Sequence, residues 1–143
     1  MRRLFCVLPV LVLLAACGGD SGNPVAPTIP PQPFTITELR AGTGAEAVTG
    51  KIVTVNYAVW LFSTSAADNK GSLMGSSNAS GPLQFTLGTN AVIPGFEQGV
   101  TGMKVGAVRR LVVPPAMAYG ATGSGSIPPN SNLVFEVELT NVQ

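Results

Sequence analysis

The sequence predicts an antiparallel α+β domain. Five segments read as strands, one segment fits a short helix, and no strand–helix–strand rhythm connects them. The strand-like segments are Thr35–Leu39, Lys51–Leu61, Leu83–Leu87, Ala107–Val113 and Leu133–Leu139.

Arg2 and Arg3 follow the initiator Met, and Leu4 to Leu14 is apolar throughout, with Pro9 in its middle. A membrane-spanning helix needs about 20 apolar residues, so this run is too short to span. A charged start followed by a short apolar run has the form of a secretory signal peptide. Leu14-Ala15-Ala16-Cys17 then resembles the lipobox of bacterial lipoproteins, in which the Cys is lipidated and becomes the first residue of the mature chain. That resemblance implies a signal peptide over residues 1–16, lipidation at Cys17, and a protein exported and anchored on a bacterial membrane, on its periplasmic or cell-surface side. Gly18 rather than Asp after the Cys resembles an outer-membrane sorting signal, should the cell be Gram-negative. Loss of Arg2 and Arg3 would leave six basic against seven acidic residues.

Residues 17–33 read as the lipidated Cys and a tether. Gly18 to Pro33 holds Pro24, Pro27, Pro30, Pro31 and Pro33 and no aromatic residue. Such a stretch buries no core, and extended at roughly 3.1 Å per residue it reaches about 50 Å. Residues 34–143 read as one domain, long enough for a single hydrophobic core.

Within that domain Thr35–Leu39 is the expected first strand. Lys51–Leu61 alternates cleanly, placing Val53, Val55, Tyr57, Val59 and Leu61 on one face. Ser63–Gly81 is rich in Ser, Ala, Asn and Gly and reads as a long loop or a bulged segment. Leu83–Leu87 is a shorter strand. Pro94 suits the first turn of a helix that carries Phe96, Val100 and Met103 on one face and ends near Gly102 or Gly106. Ala107–Val113 is rich in strand formers and stops at Pro114-Pro115. In the last strand Leu133, Phe135, Val137 and Leu139 share one face, with Glu136, Glu138 and Thr140 on the other.

Composition narrows the chemistry. The chain has no His, which excludes a Ser-His-Asp triad and His-dependent metal sites, and its two Cys are Cys6 and Cys17. No metal site and no cofactor are expected. The net charge of +1 shows no basic excess, so nucleic acid is not an expected partner. The Gly120–Ser126 run lacks the following Lys and helix of a phosphate cradle and reads as a turn-rich loop.

Three segments carry a specific pattern: Val92-Ile93-Pro94-Gly95-Phe96-Glu97-Gln98-Gly99, Ala118-Tyr119-Gly120, and Ile127-Pro128-Pro129-Asn130 leading to Leu133-Val134-Phe135. In this order they resemble the FKBP-type peptidyl-prolyl isomerases, over about residues 34–143. The resemblance implies an antiparallel sheet of five or six strands wrapped around one short helix. It also implies a peptidyl-prolyl cis–trans isomerase that acts on Xaa-Pro segments, here of exported proteins, binds macrolide inhibitors such as rapamycin, and works as a monomer. Carried over residue by residue, Phe96 becomes the aromatic floor of an apolar pocket. Tyr57, Phe135 and Leu83 or Phe85 become its walls, and Val92 and Ile93 its rim, with the Ile93 N–H facing a substrate carbonyl. Tyr119 offers its hydroxyl, and Ile127 closes the loop side. The family's usual Phe-Asp-Ser-Ser has its nearest match in Met74-Gly75-Ser76-Ser77, so Met74 replaces the pocket Phe and the Asp is missing. The alternative implied by that departure is a catalytically weak binding or chaperone module that uses the same pocket.

Overall fold

The computed structural model describes residues 29–143. The expected signal peptide, Cys17 and the tether up to residue 28 lie outside the described residues. The chain then runs through β1 (Thr35–Arg40), β2 (Ile52–Phe62), β3 (Lys70–Ser76), α1 (Ser77–Ser80), β4 (Leu83–Thr86), α2 (Pro94–Val100), β5 (Val108–Val113) and β6 (Leu133–Val142). The six strands form one sheet in the order β1-β5-β6-β2-β3, and β4 pairs with β2. Every pairing is antiparallel. The long β2 serves two partners on one side: β4 takes Ile52–Val55 and β3 takes Ala58–Phe62.

The alternation of β2 and β6 does what period two requires. Val53, Val55 and Val59 of β2 and Leu133, Phe135, Val137 and Leu139 of β6 are buried in a single core. Leu111 and Val113 of β5 and Phe85 of β4 join them. Helix α2 covers this face, burying Phe96 and Val100, with Met103 just beyond its end. Pro94 opens α2 at a position whose N–H would find no partner within the helix anyway. Gly95 and Gly99 let the helix sit close to β5: a Cβ on Gly95 would run into the Val113 side chain, and one on Gly99 would stand 2.5 Å from Leu111 Cδ2. At the other end Arg109 donates to the carbonyls of Gly99 and Thr101 at 3.0 Å and of Gly102 at 3.3 Å. These are carbonyls with no partner inside the helix, so the guanidinium caps it.

Of the two readings of Ser63–Gly81, the bulged segment is the one found: it contains β3, whose register is irregular, and the single turn of α1. Its sequence, Lys-Gly-Ser-Leu-Met-Gly-Ser, is poor in strand formers. The strand forms because the second half of β2 offers an unpaired edge, and its register shifts twice along that edge, around Trp60.

The opposite face of the sheet carries charge. Glu136 accepts from Lys70 Nζ at 2.8 Å and from Arg110 Nη2 at 2.9 Å, and Arg110 also pairs with Asp68 at 3.0 Å. Partial burial pushes the Glu136 carboxyl up, but the bonds from Lys70 and Arg110 outweigh it and hold the group below the ordinary 4.5. A carboxyl depressed by folding contributes stability above its unfolded value and loses it as pH falls toward its folded value. The melting temperature is therefore expected to drop as pH is lowered below 4.5, and Glu136→Gln is expected to flatten that part of the profile. Calorimetry between neutral and acid pH checks this. A drop that is equally steep in both proteins would assign the acid sensitivity elsewhere.

Candidate active site

Between α2, β2, β4 and the loop after β5 lies an open cavity of about 430 Å³. It is lined by Tyr57, Leu83, Ala91, Val92, Ile93, Phe96 and Tyr119, none of which carries a charge at neutral pH. Phe96 is the centre of its aromatic floor. Its ring meets Tyr57 edge-on at 6.0 Å and Phe135 edge-on at 5.3 Å, and Phe85 in a tilted contact at 5.9 Å. These spacings and angles suit the ring quadrupoles, so the floor is a fixed cluster.

The structure thus brings Tyr57, Leu83, Val92, Ile93, Phe96 and Tyr119 to one cavity. Phe85 and Phe135 are 7% and 4% exposed and back the floor behind Phe96 rather than line the open volume. Met74 and Ile127 pack against the core, outside the lining residues. Ala91 lines the cavity and was not singled out from the sequence. It lies next to Val92 at the rim, and an alanine in a polar turn carries no signal of its own.

Each side chain is held by a local device. Tyr57 N–H donates to Ser77 Oγ at 3.0 Å, so the buried Ser77 of α1 locks the centre of β2. Ile93 is the N-cap of α2, with an extended ψ of 147°. Its carbonyl accepts from Phe96 and Glu97 N–H groups at 3.0 and 3.1 Å, while its own N–H stays outside the helical ladder. Glu97 reaches back across the rim, its Oε1 accepting from Gly88 N–H at 2.7 Å. Gly88 begins the turn that leads to Ala91, Val92 and Ile93, and its φ of +87° suits glycine.

Tyr119 stands in the loop between β5 and β6. Burial raises its hydroxyl pKa above 10, and the neighbouring Tyr57 raises it further. The hydroxyl is therefore a neutral donor across the physiological range. Removing it in Tyr119→Phe is expected to lower kcat/KM by roughly three- to tenfold, the value of one hydrogen bond, with little change in melting temperature. Unchanged kinetics would remove the hydroxyl from the site's chemistry.

Gly75 pairs with Val59, whose side chain is buried in the core. A Cβ on Gly75 would stand 3.7 Å from Val59 Cγ1, an ordinary contact. The carboxylate of the family pattern is absent, and the backbone here would accept a Cβ without strain.

A six-stranded antiparallel sheet folded over one short helix, with an uncharged aromatic pocket between them, defines a protein that receives a compact apolar group without a charged or nucleophilic residue at the floor. Comparison with known proteins narrows that class. The family profile for FKBP-type peptidyl-prolyl cis–trans isomerases matches residues 44–140. The chain belongs to this family. It is 44% identical over 108 residues to an FK506-binding protein of Neisseria meningitidis serogroup A, covering 75% of this chain and 94% of that protein. It is 43% identical over 110 residues to the Arabidopsis thaliana peptidyl-prolyl cis-trans isomerase FKBP15-3, covering 76% and 73% of the two chains. Among solved structures, FkpA from Escherichia coli superposes with a TM-score of 0.64 at 39% identity, over 77% of this chain and 48% of that one. AtFKBP13 superposes with a TM-score of 0.66 at 32% identity, over 77% and 93%.

Proposed function

We propose that the protein accelerates Xaa-Pro isomerisation in exported proteins, held outside the cytoplasm by lipid on Cys17. The observation that carries the catalytic part is the uncharged pocket floored by Phe96. A peptide bond resists rotation by about 18–20 kcal/mol because resonance gives it double-bond character. The planar amide is more polar than the twisted one. An apolar pocket around the prolyl ring therefore favours the twisted form, while Tyr119 and the Ile93 N–H supply hydrogen bonds to the segment's carbonyls. Each 1.4 kcal/mol gained selectively in the twisted state is about a tenfold gain in rate. No proton transfer or covalent step is needed.

The location rests on the Arg2-Arg3 start, the Leu4–Leu14 run and Leu14-Ala15-Ala16-Cys17. Uncatalysed prolyl isomerisation takes about 10–100 s, long enough to limit the folding of newly exported chains. Macrolides such as rapamycin are the expected inhibitors of the same pocket, and the expected state is a monomer. Metabolic labelling with a palmitate analogue tests the anchor: label in the unaltered chain and none in Cys17→Ala supports it. No label in either excludes it.

A second reading has one specific observation behind it. Gly75 leaves the pocket without the carboxylate that the family resemblance places there. On that reading the pocket binds proline-containing segments but turns them over poorly. Saturable rapamycin binding without acceleration of isomerisation would favour it.

A further inference from the structure

Residues 29–33 belong with the tether by composition, yet they are held to the domain by one buried side chain. Asn132, 4% exposed, stands immediately before β6. Its Oδ1 accepts from Gln32 N–H at 2.8 Å, and its Nδ2 donates to Pro30 O at 3.0 Å and to Ile29 O at 3.4 Å. A side-chain amide offers both a donor and an acceptor, as a backbone peptide does. The reason it is needed lies across the sheet. β1 pairs with β5 up to Thr35 and Val112, and β5 ends at Val113, followed by Pro114-Pro115. Prolines have no N–H, so the ladder between these strands loses its donors at that point. Past that point the Asn132 amide bonds the incoming segment, donating to the Pro30 and Ile29 carbonyls and accepting from Gln32 N–H.

Asn132 is also the last residue of the loop that carries the pocket's Tyr119. Val113 and Leu133 are directly paired, so residues 114–132 form one long hairpin connection with its ends together. Inside it Asn130 N–H donates to Gly120 O at 2.8 Å, Gly123 N–H to Tyr119 O at 3.2 Å, and Ser131 Oγ to Pro128 O at 2.7 Å. The Asn132 carbonyl accepts from Phe62 N–H at 2.9 Å, at the end of β2. Asn132 therefore touches the incoming segment with its side chain, β2 with its carbonyl, and the Tyr119 loop through the chain two residues back.

We propose that Asn132 is a positioning residue: its amide clasps residues 29–32 against the base of the 114–132 loop, and this clasp holds Tyr119 at the pocket. The proposal rests on the reading of that pocket as the isomerase site. It makes the last residues before Phe34 a working part of the domain rather than spacer.

The test uses the full chain with Gln32→Pro, which removes the backbone donor to Asn132 together with the Gln32 side-chain bond to Pro30 O, both outside the cavity lining, and separately Asn132→Ala. Hydrogen exchange followed by NMR or mass spectrometry reads the amides of Gln32, Gly120, Gly123 and Asn130. Kinetics on an Xaa-Pro peptide read KM and kcat separately. Asn132→Ala is expected to lose protection at Gln32, and both variants at Gly120 and Asn130, by roughly fivefold, the scale of one hydrogen bond, while β2 and β6 keep theirs. KM is expected to rise by a similar factor with kcat nearly unchanged. Unaltered protection at Gly120 and Asn130 in both variants would overturn the proposal. So would a uniform loss across the sheet with KM unmoved, which marks a merely structural residue. The exchange readout needs no turnover, so an inactive unaltered chain would overturn the functional reading and leave the clasp to be decided by exchange.

Discussion

Phe96→Ala is expected to lower kcat/KM by roughly a hundredfold or more, the equivalent of about 2.7 kcal/mol of lost transition-state stabilisation. Phe96 is the one pocket residue whose ring meets three other aromatics, Tyr57, Phe85 and Phe135. Its removal opens the floor to water and frees the rings that shape the walls. The same change costs stability, because a buried Phe→Ala substitution typically costs about 3–5 kcal/mol. That is a large share of the roughly 5–15 kcal/mol that holds a domain together. Phe96→Leu separates the two effects: it keeps most of the buried volume, so the fold is expected to persist while turnover still falls by about tenfold. Circular dichroism melts beside a coupled isomerase assay read both quantities. A folded Phe96→Ala protein with undiminished turnover would remove this pocket from the chemistry.

Gly99→Ala is expected to be the most damaging single methyl group in the helix. A Cβ there would lie 2.5 Å from Leu111 Cδ2 and 2.9 Å from Leu111 Cγ, distances that real Cβ atoms essentially never show. Leu111 is fully buried, in a core packed as closely as protein interiors are. The helix must lift from β5, and Phe96 lifts with it. Overpacking of this kind typically costs about 1–3 kcal/mol, and the loss of activity should exceed what that cost alone explains. Leu111→Val in the same protein shortens the obstructing side chain. The double variant is expected to recover stability relative to Gly99→Ala, a coupling that a double-mutant cycle measures. Strict additivity of the two changes would show that the helix does not rest on Leu111 through Gly99.

Periodicity made the centre of this fold readable. β2 and β6 bury alternate residues, and α2 presents Phe96 and Val100 from one side, so their patterns survive in the bare sequence. Strand β3 left no such trace. Its Leu73 is 57% exposed, its two glycines have no side chain to pack, and its pairing is set by the β2 edge rather than by burial. The strand expected over Leu83–Leu87 ends one residue earlier, at Thr86, while Leu87 still enters the core. For the pocket, composition alone did not distinguish lining aromatics from core aromatics. The resemblance carried by the ordered motifs assigned all of them to the pocket, and the geometry then sorted them into Tyr57, Phe96 and Tyr119 facing the cavity and Phe85 and Phe135 behind it. The Asn132 clasp was invisible because a single amide that meets a backbone 100 residues away has no period and no spacing.

The absence of a carboxylate at Gly75 and the persistence of an aromatic floor pull the kinetics in opposite directions. The floor supplies the apolar surroundings that favour a twisted amide, and Gly75 is not among the residues that line the cavity. The floor is therefore expected to dominate, and the protein to turn over.

The most direct test is the rate of cis–trans exchange in an Xaa-Pro peptide, followed by NMR or a protease-coupled assay, with and without rapamycin. The expected result is acceleration that rapamycin abolishes and that Phe96→Ala lacks. No acceleration by the folded, unaltered protein would contradict the account, even if rapamycin bound.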